Sequence, residues 1–362
     1  MRPAFSSNRQ AAAFAALLII VLLLPSILGK NQLPPREQVY STIPWSFGAF
    51  PYLHNQIFEE HEDIDIVFMG SSVMWWGIDT PYFESQLSNA LGRKAVARSL
   101  CWNWPGFDPL YFIAKDLLEK RKVKMIVFCD LSSGASPTAH QSAVQWFRVG
   151  DQWGDLHGLN MRGRMSFYSS AILGTPRNLL GLTRTNRPVI KSDDIWVPLA
   201  TNAVNPITRL GSLSVQITED RNFLAYAPET GDKASCVSVY SNETKNDFAF
   251  GNFKLMPTQA AFAKKMGNMS EHYGVTLVYL HVPKSTEMHA STIEEAIFWP
   301  DAFNADVKLV GIPPVKFFQG ISKSDVQKLY FESHHLNANG QKFLTAIITP
   351  ALINLYETQT KH

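Results

Sequence analysis

Between Ile64 and Cys129 the chain alternates short, almost wholly apolar runs with longer amphipathic stretches, and this rhythm leaves few folds open to it. Apolar runs bounded by turn residues suit strands covered on both faces, and joining such strands in parallel takes crossovers long enough to hold a helix. The pattern predicts an α/β domain with a mostly parallel sheet. Four strands are expected, over residues 64–69 (IDIVFM), 95–100, 123–129 and 275–281. Helices are expected from Thr80 and Pro81, from Asp108 and Pro109 through Leu118, over 258–272, and over 340–355 with Pro350 as a kink.

The first 30 residues are a different material. Arg2 and Arg9 precede an unbroken apolar stretch from Ala11 to Leu24, which resumes after Pro25 through Ile27 and Leu28. A run of about 18 apolar residues sits at the boundary between a signal-peptide core and a spanning helix of about 20. No small-x-small cleavage site follows it. Residues 1–30 are therefore read as a membrane anchor or signal-anchor, single-pass, with the main domain extracytoplasmic on the periplasmic or cell-surface side. Lys30 and Arg36 balance the two flanks in charge, so the orientation rests on the likeness to an N-terminal signal. Residues 31–63, rich in proline and aromatic side chains, read as a tether.

Lysine and arginine total 33 against 31 aspartate and glutamate, giving a net charge of +2. No basic run carries interleaved aromatics, which argues against nucleic acid as a partner. The ten histidines form no H-E-x-x-H or paired-cysteine setting, so neither a metal nor another cofactor is expected. Cys101, Cys129 and Cys236 are too few for a disulfide framework, and Cys129 lies in an apolar run that suits simple burial. Asn242 and Asn268 stand in sequons, which matter only in a glycosylating host. From about 133 to 252 the rhythm lapses, and Trp146, Phe147, Trp153, Phe167, Tyr168 and Trp196 appear among loop-forming residues. So long a segment reads as a lid-like insertion on the C-terminal edge of the sheet, its aromatics forming either its own core or a sugar-stacking surface.

The chemistry concentrates in two places. The first strand runs into VFMGSS, where Gly70 permits a tight turn and puts Ser72 in the crevice at the C-terminal edge. A serine there is ordinarily a turn former or a helix cap, so a second element is required. It lies in YFESHHLNANG: Glu332, then His335 three residues on, then Leu336, Asn337 and Gly340 leading into the last helix. Imidazole titrates in the range useful for taking a serine proton, and a carboxylate can orient it. His334 and His335 are both candidates for that base.

Together, VFMGSS and FESHHLNANG resemble the first and last sequence blocks of the SGNH (GDSL-like) hydrolase superfamily. They are most similar to its membrane-anchored envelope proteins related to alginate and other polysaccharide O-acetylation factors. The resemblance spans about residues 62–131 and 256–356. It implies a flavodoxin-like three-layer sandwich over 64–362, interrupted by the insertion at about 133–252. It also implies Ser72 rather than Ser71 as nucleophile and His335 rather than His334 as base. Glu332 stands where the family has aspartate, one methylene shorter. The Ser72 backbone N–H and Gly106 would form the oxyanion hole.

The family's third-block asparagine has no match. Asp130 occupies that region, where a carboxylate would repel an oxyanion unless protonated or turned away, leaving Ser132 or Asn103 as substitutes. Trp75 and Trp76 would line a pocket or pack beneath the following helix, and His281 would end the fourth strand at the same edge. The implied function is a serine-dependent esterase or O-acyltransferase acting on an acylated cell-envelope glycan through acyl-Ser72, with a membrane-bound acyltransferase as partner. The competing reading is a catalytically inactive scaffold or binding module in a membrane-associated complex.

Overall fold

The computed structural model describes residues 5–30, 35–43, 47–48, 50–129, 139–140, 142–148, 152–169, 172, 226–240, 255–289 and 300–360. They fall in two compact units, one drawn from residues 1–43 and 136–188, the other from 44–135 and 189–362.

The smaller unit holds helix α1 (Asn8–Lys30), a one-turn helix Gln38–Thr42, a 3-10 turn Ala143–Arg148, and helical segments Gln152–Leu156 and 161–169. Tyr40 and Trp146 are fully buried and meet edge to face at 5.3 Å, with Phe167 also fully buried. These aromatics serve the unit's own core. The expected anchor is overturned: no described helix is long and apolar enough to cross a membrane. The unbroken apolar stretch in α1 ends at Pro25, and at 1.5 Å per residue it covers only about 21 Å of a roughly 30 Å hydrocarbon core. The transmembrane helix, the membrane as partner, the single-pass location and the extracytoplasmic placement inferred from it fall together.

The larger unit is built on β1 (Ile64–Gly70), β2 (Ala97–Cys101), β3 (Val123–Cys129), β4 (Ser238–Tyr240), β5 (Thr276–Leu280) and β6 (Val307–Gly311). They form one sheet in the order β2-β1-β3-β5-β6-β4. All neighbours are parallel except β4, which runs antiparallel along the β6 edge. The four strands expected from the apolar runs are present, while β6 and β4 were not expected. Of the expected insertion, β4 alone joins this sheet among the described residues, preceded by the 3-10 turn Lys233–Cys236, and Trp196 lies outside them.

Parallel strands are buried on both faces, and β1 shows it: Ile66, Val67, Phe68 and Met69 have no exposed surface. Phe68 meets Phe83 of helix α3 (Thr80–Leu91), which follows the short helix α2 (Ser72–Gly77). Phe128 is in register with Met69, so it points to the opposite face. There it meets Phe107, the first residue of helix α4 (Phe107–Lys120), which packs beside helix α5 (Pro257–Tyr273). The last helix, α6 (Ala338–Thr360), packs on α2 and α3 and continues through Pro350. The strand order reverses between β1 and β3, which opens a crevice beyond their C-terminal ends. Ser72 follows β1 directly into that crevice.

Two sets of bonds hold the beginning and end of this unit together. At the C-terminal edge, Gln341 Nε2 of α6 donates to the Ile78 carbonyl at 3.1 Å, and the Asp79 N–H donates to Thr345 Oγ1 at 2.9 Å. At the other edge the buried Asp65 carboxylate accepts from both terminal nitrogens of Arg93 (3.0 and 2.6 Å), the Val96 N–H (2.9 Å) and the Tyr356 hydroxyl (2.5 Å). Burial alone would raise the Asp65 pKa, but the bonds from Arg93, Tyr356 and Val96 overcome it and hold the carboxyl below its ordinary value.

Asp65→Ala is expected to cost about 3 kcal/mol at pH 7, because a buried hydroxyl and amide lose their acceptor. The depressed carboxyl contributes fully above its unfolded pKa of about 3.9, and its contribution is lost as pH falls through the lower folded value. Urea denaturation of both proteins from pH 7 to pH 2 checks this. The gap between them should close at the acid end, and a gap of constant size would rule the clasp out.

Candidate active site

The turn that presents Ser72 is shaped by two residues with no reactivity of their own. Ser71 caps α2, its Oγ accepting from the Val73 N–H at 3.4 Å, while its carbonyl accepts from Met74 and Trp75. Gly70 permits the tight approach, since a Cβ there would lie 2.9 Å from Cys129 Sγ and 3.0 Å from Met74 Cβ. The strand leads straight into a helix, Ser72–Gly77, through this turn. Ser72 occupies the first turn of α2, where backbone amides have no acceptor within the helix, and its N–H is thus available in kind as an oxyanion donor.

His335 comes from the segment between β6 and α6. Its Nε2 lies 2.8 Å from Ser72 Oγ across 263 residues of sequence. Its Nδ1 lies 2.5 Å from Glu332 Oε1, which also accepts from the backbone N–H of His335 at 2.9 Å and of His334 at 3.2 Å. One carboxylate oxygen thus closes the turn and fixes the ring it serves. The network assigns Nδ1–H as donor to Glu332 and leaves Nε2 as acceptor for the Ser72 hydroxyl. His335 is the histidine bonded to Ser72, whereas His334 Nδ1 bonds Ser333 Oγ at 2.6 Å and lies 3.5 Å from the other Glu332 oxygen.

Burial lowers the His335 pKa and outweighs the Glu332 charge, which raises it. The ring is therefore neutral at pH 7, the state in which it can take a proton. Burial pushes Glu332 upward, but the charge and hydrogen bond from His335, with further bonds from the turn, bring it below its ordinary value. Glu332 stays ionised.

A second layer of contacts braces this turn. The Ser285 N–H and Oγ both donate to the Ser333 carbonyl (3.0 and 3.2 Å), and the Tyr330 hydroxyl donates to the Pro283 carbonyl at 2.8 Å. Asn337, fully buried, donates to the Lys328 carbonyl at 2.8 Å and accepts from the Asn339 and Gly340 amides at the start of α6. Trp76 is buried and meets Phe331 edge to face at 4.8 Å, directly before Glu332. Trp75 is also buried, its carbonyl accepting from Gln341. Both tryptophans pack beneath the site. His281 is buried too, its Nε2 3.1 Å from Glu287 Oε2, in the loop that carries Ser285.

The loop after the second strand supplies two more of the expected residues, Asn103 and Gly106. Trp102 donates its N–H to the Gly70 carbonyl at 3.0 Å, and Asn103 donates its N–H to the Phe47 carbonyl at 2.7 Å; the Asn103 side chain is buried. Gly106 caps α4 in an extended conformation, and a Cβ on it would lie 2.7 Å from Asp108 Oδ1 and 3.0 Å from Pro109 Cδ. Packing against its own helix thus accounts for glycine at this position. Asp130 and Ser132 lie outside the described residues.

The sequence reading passed over the most unusual residue of this loop. Trp104 is 53% exposed and holds φ at +64°, a left-handed conformation that costs a bulky residue about 1–3 kcal/mol. Its ring rests on Phe47, centroid to centroid 5.4 Å at 66°. Backbone strain of this kind has no signature in residue order. No protein-family model matches the chain, no characterised protein matches it, and no solved structure matches it.

Proposed function

We propose that the chain is a serine-dependent esterase or O-acyltransferase acting on an acylated glycan. The carrying observation is the 2.8 Å approach of Ser72 Oγ to His335 Nε2, with His335 Nδ1 bonded to Glu332. Ser72 Oγ attacks the ester carbonyl carbon while its proton passes to His335 Nε2, and Glu332 stabilises the imidazolium that forms. The carbonyl electrons move onto oxygen, which the Ser72 N–H faces. On collapse the C–O bond to the sugar breaks, and His335 returns the proton to the leaving alkoxide. Acyl-Ser72 is then attacked by water or by a second sugar hydroxyl, activated by the same imidazole. The first outcome is hydrolysis and the second is transfer.

The test needs no knowledge of the natural ester. The full-length chain incubated with a fluorophosphonate should gain one adduct by intact mass, mapped by peptide sequencing to Ser72 and absent from Ser72→Ala. Folded protein that takes up no probe, or an adduct that persists in Ser72→Ala, would move the reading to a non-catalytic scaffold.

A further inference from the structure

We infer that Trp104 is the stacking platform of a glycan subsite beside Ser72, taking one pyranose ring of the chain that bears the ester. The inference rests on the acyl-ester reading for its use, while its structural argument is separate. Trp104 follows β2 by three residues and Ser72 follows β1 by two, on adjoining strands at the same edge of the sheet. The two connections are tied by the Trp102 N–H, which donates to the Gly70 carbonyl, while the Asn103 N–H donates to the Phe47 carbonyl. The backbone just before Trp104 is thus fixed by two hydrogen bonds, and the indole itself meets Phe47 edge to face.

Contact with Phe47 covers only part of the indole, and 53% of the residue stays open to solvent in an unfavourable backbone conformation. Strain that persists at a surface position beside a reactive group points to a ligand contact. The ligand class follows from the chemistry of the surface. A large aromatic face that is half open to water suits a partner with one apolar side and a wet rim. A pyranose has both, in its axial C–H face and its ring of hydroxyls. A short acyl chain is apolar all round and gains most from an enclosed pocket, which a ring 53% exposed does not supply.

The experiment separates this subsite from the chemistry. Full-length Ser72→Ala is titrated by calorimetry with O-acetylated hexasaccharides built on xylose, mannose, glucosamine and uronic acids, and the titration is repeated with Trp104→Ala and Trp104→Asn added. One or more members should bind, and both additions should weaken binding about tenfold or more. Asparagine accepts the left-handed conformation, so the thermal midpoint of the Trp104→Asn protein should stay level or rise by about 2 °C.

A tryptophan with only a structural role would give the reverse, lower stability with binding intact, and that result overturns the inference. So does the absence of binding across the whole set. Trp104-dependent binding in a protein that takes no fluorophosphonate sinks the enzymatic reading and leaves the subsite standing.

Discussion

Replacing His335 with alanine is expected to slow fluorophosphonate acylation of Ser72 about 10⁴-fold or more while the fold survives. The ring is partly exposed, and its removal breaks only the bonds to Ser72 and Glu332, so lost stability does not explain lost reactivity. The pH dependence supplies an independent check. A base works when deprotonated, and burial holds the His335 pKa below its ordinary value of about 6.5. Acylation should therefore be on its plateau at pH 7 and fall away as pH drops through that lowered pKa.

Glu332→Gln removes the charge that raises His335. The acid limb should move to lower pH, while the plateau falls roughly 10²-fold because the imidazolium loses its counter-charge. Second-order labelling rates measured from pH 4 to pH 9 read both effects. A limb that stays put, or moves upward, would mean that Glu332 does not act on the ring.

The second large effect concerns Gly340, where no reacting atom is involved. A Cβ there would sit 2.2 Å from the Leu329 carbonyl oxygen and 2.6 Å from Leu336 Cδ2. Both obstacles belong to the strand-like pairing that carries His335, since Tyr330 bridges to Leu336 and the Asn337 N–H donates to the Leu329 carbonyl. Neither side can yield without moving the turn. Gly340→Ala should cost about 3 kcal/mol or more in urea denaturation and lower Ser72 labelling with it. Gly320 makes the comparison: φ is +77° but no atom lies within 4 Å of its would-be Cβ. Gly320→Ala should cost only about 1 kcal/mol, the penalty of the backbone conformation alone. Equal losses at the two positions would refute the steric account.

The parts of the fold that were legible in the sequence are those with a long, repeated signal. Residues 64–129 carry three strands and their crossovers in almost unbroken apolar and amphipathic alternation, and β1, β2 and β3 lie within two residues of their expected bounds. Strand β6 has only Val307–Gly311, and among the described residues the stretch just before it holds one helical turn, Pro300–Phe303. Strand β4 has three residues and takes its place through pairing with β6, a long-range contact that local sequence does not encode.

Helix α2 is too short to show a period, and Ser71 became visible as its cap only once the backbone was in view. At the N-terminus, apolar composition suggested a span that the length of the run does not support. In the site, Ser72, His335 and Glu332 were singled out through the family resemblance, since spacing alone left His334 open as the base, and they meet in space. Asn337 was visible only as part of the run leading into the last helix, whereas Ser285, Tyr330 and Trp104 depend on tertiary contacts or on a backbone angle.

The bond between Ser72 and His335 spans 263 positions, and the bond between Asp65 and Tyr356 spans 291. A ribosome delivers Ser72 long before it delivers either distant partner. A chain cut short before His335 would carry Ser72 without the imidazole that lies against it in the complete fold. On the acyl-ester reading, the pairing that would activate Ser72 forms only once the chain has been translated past His335.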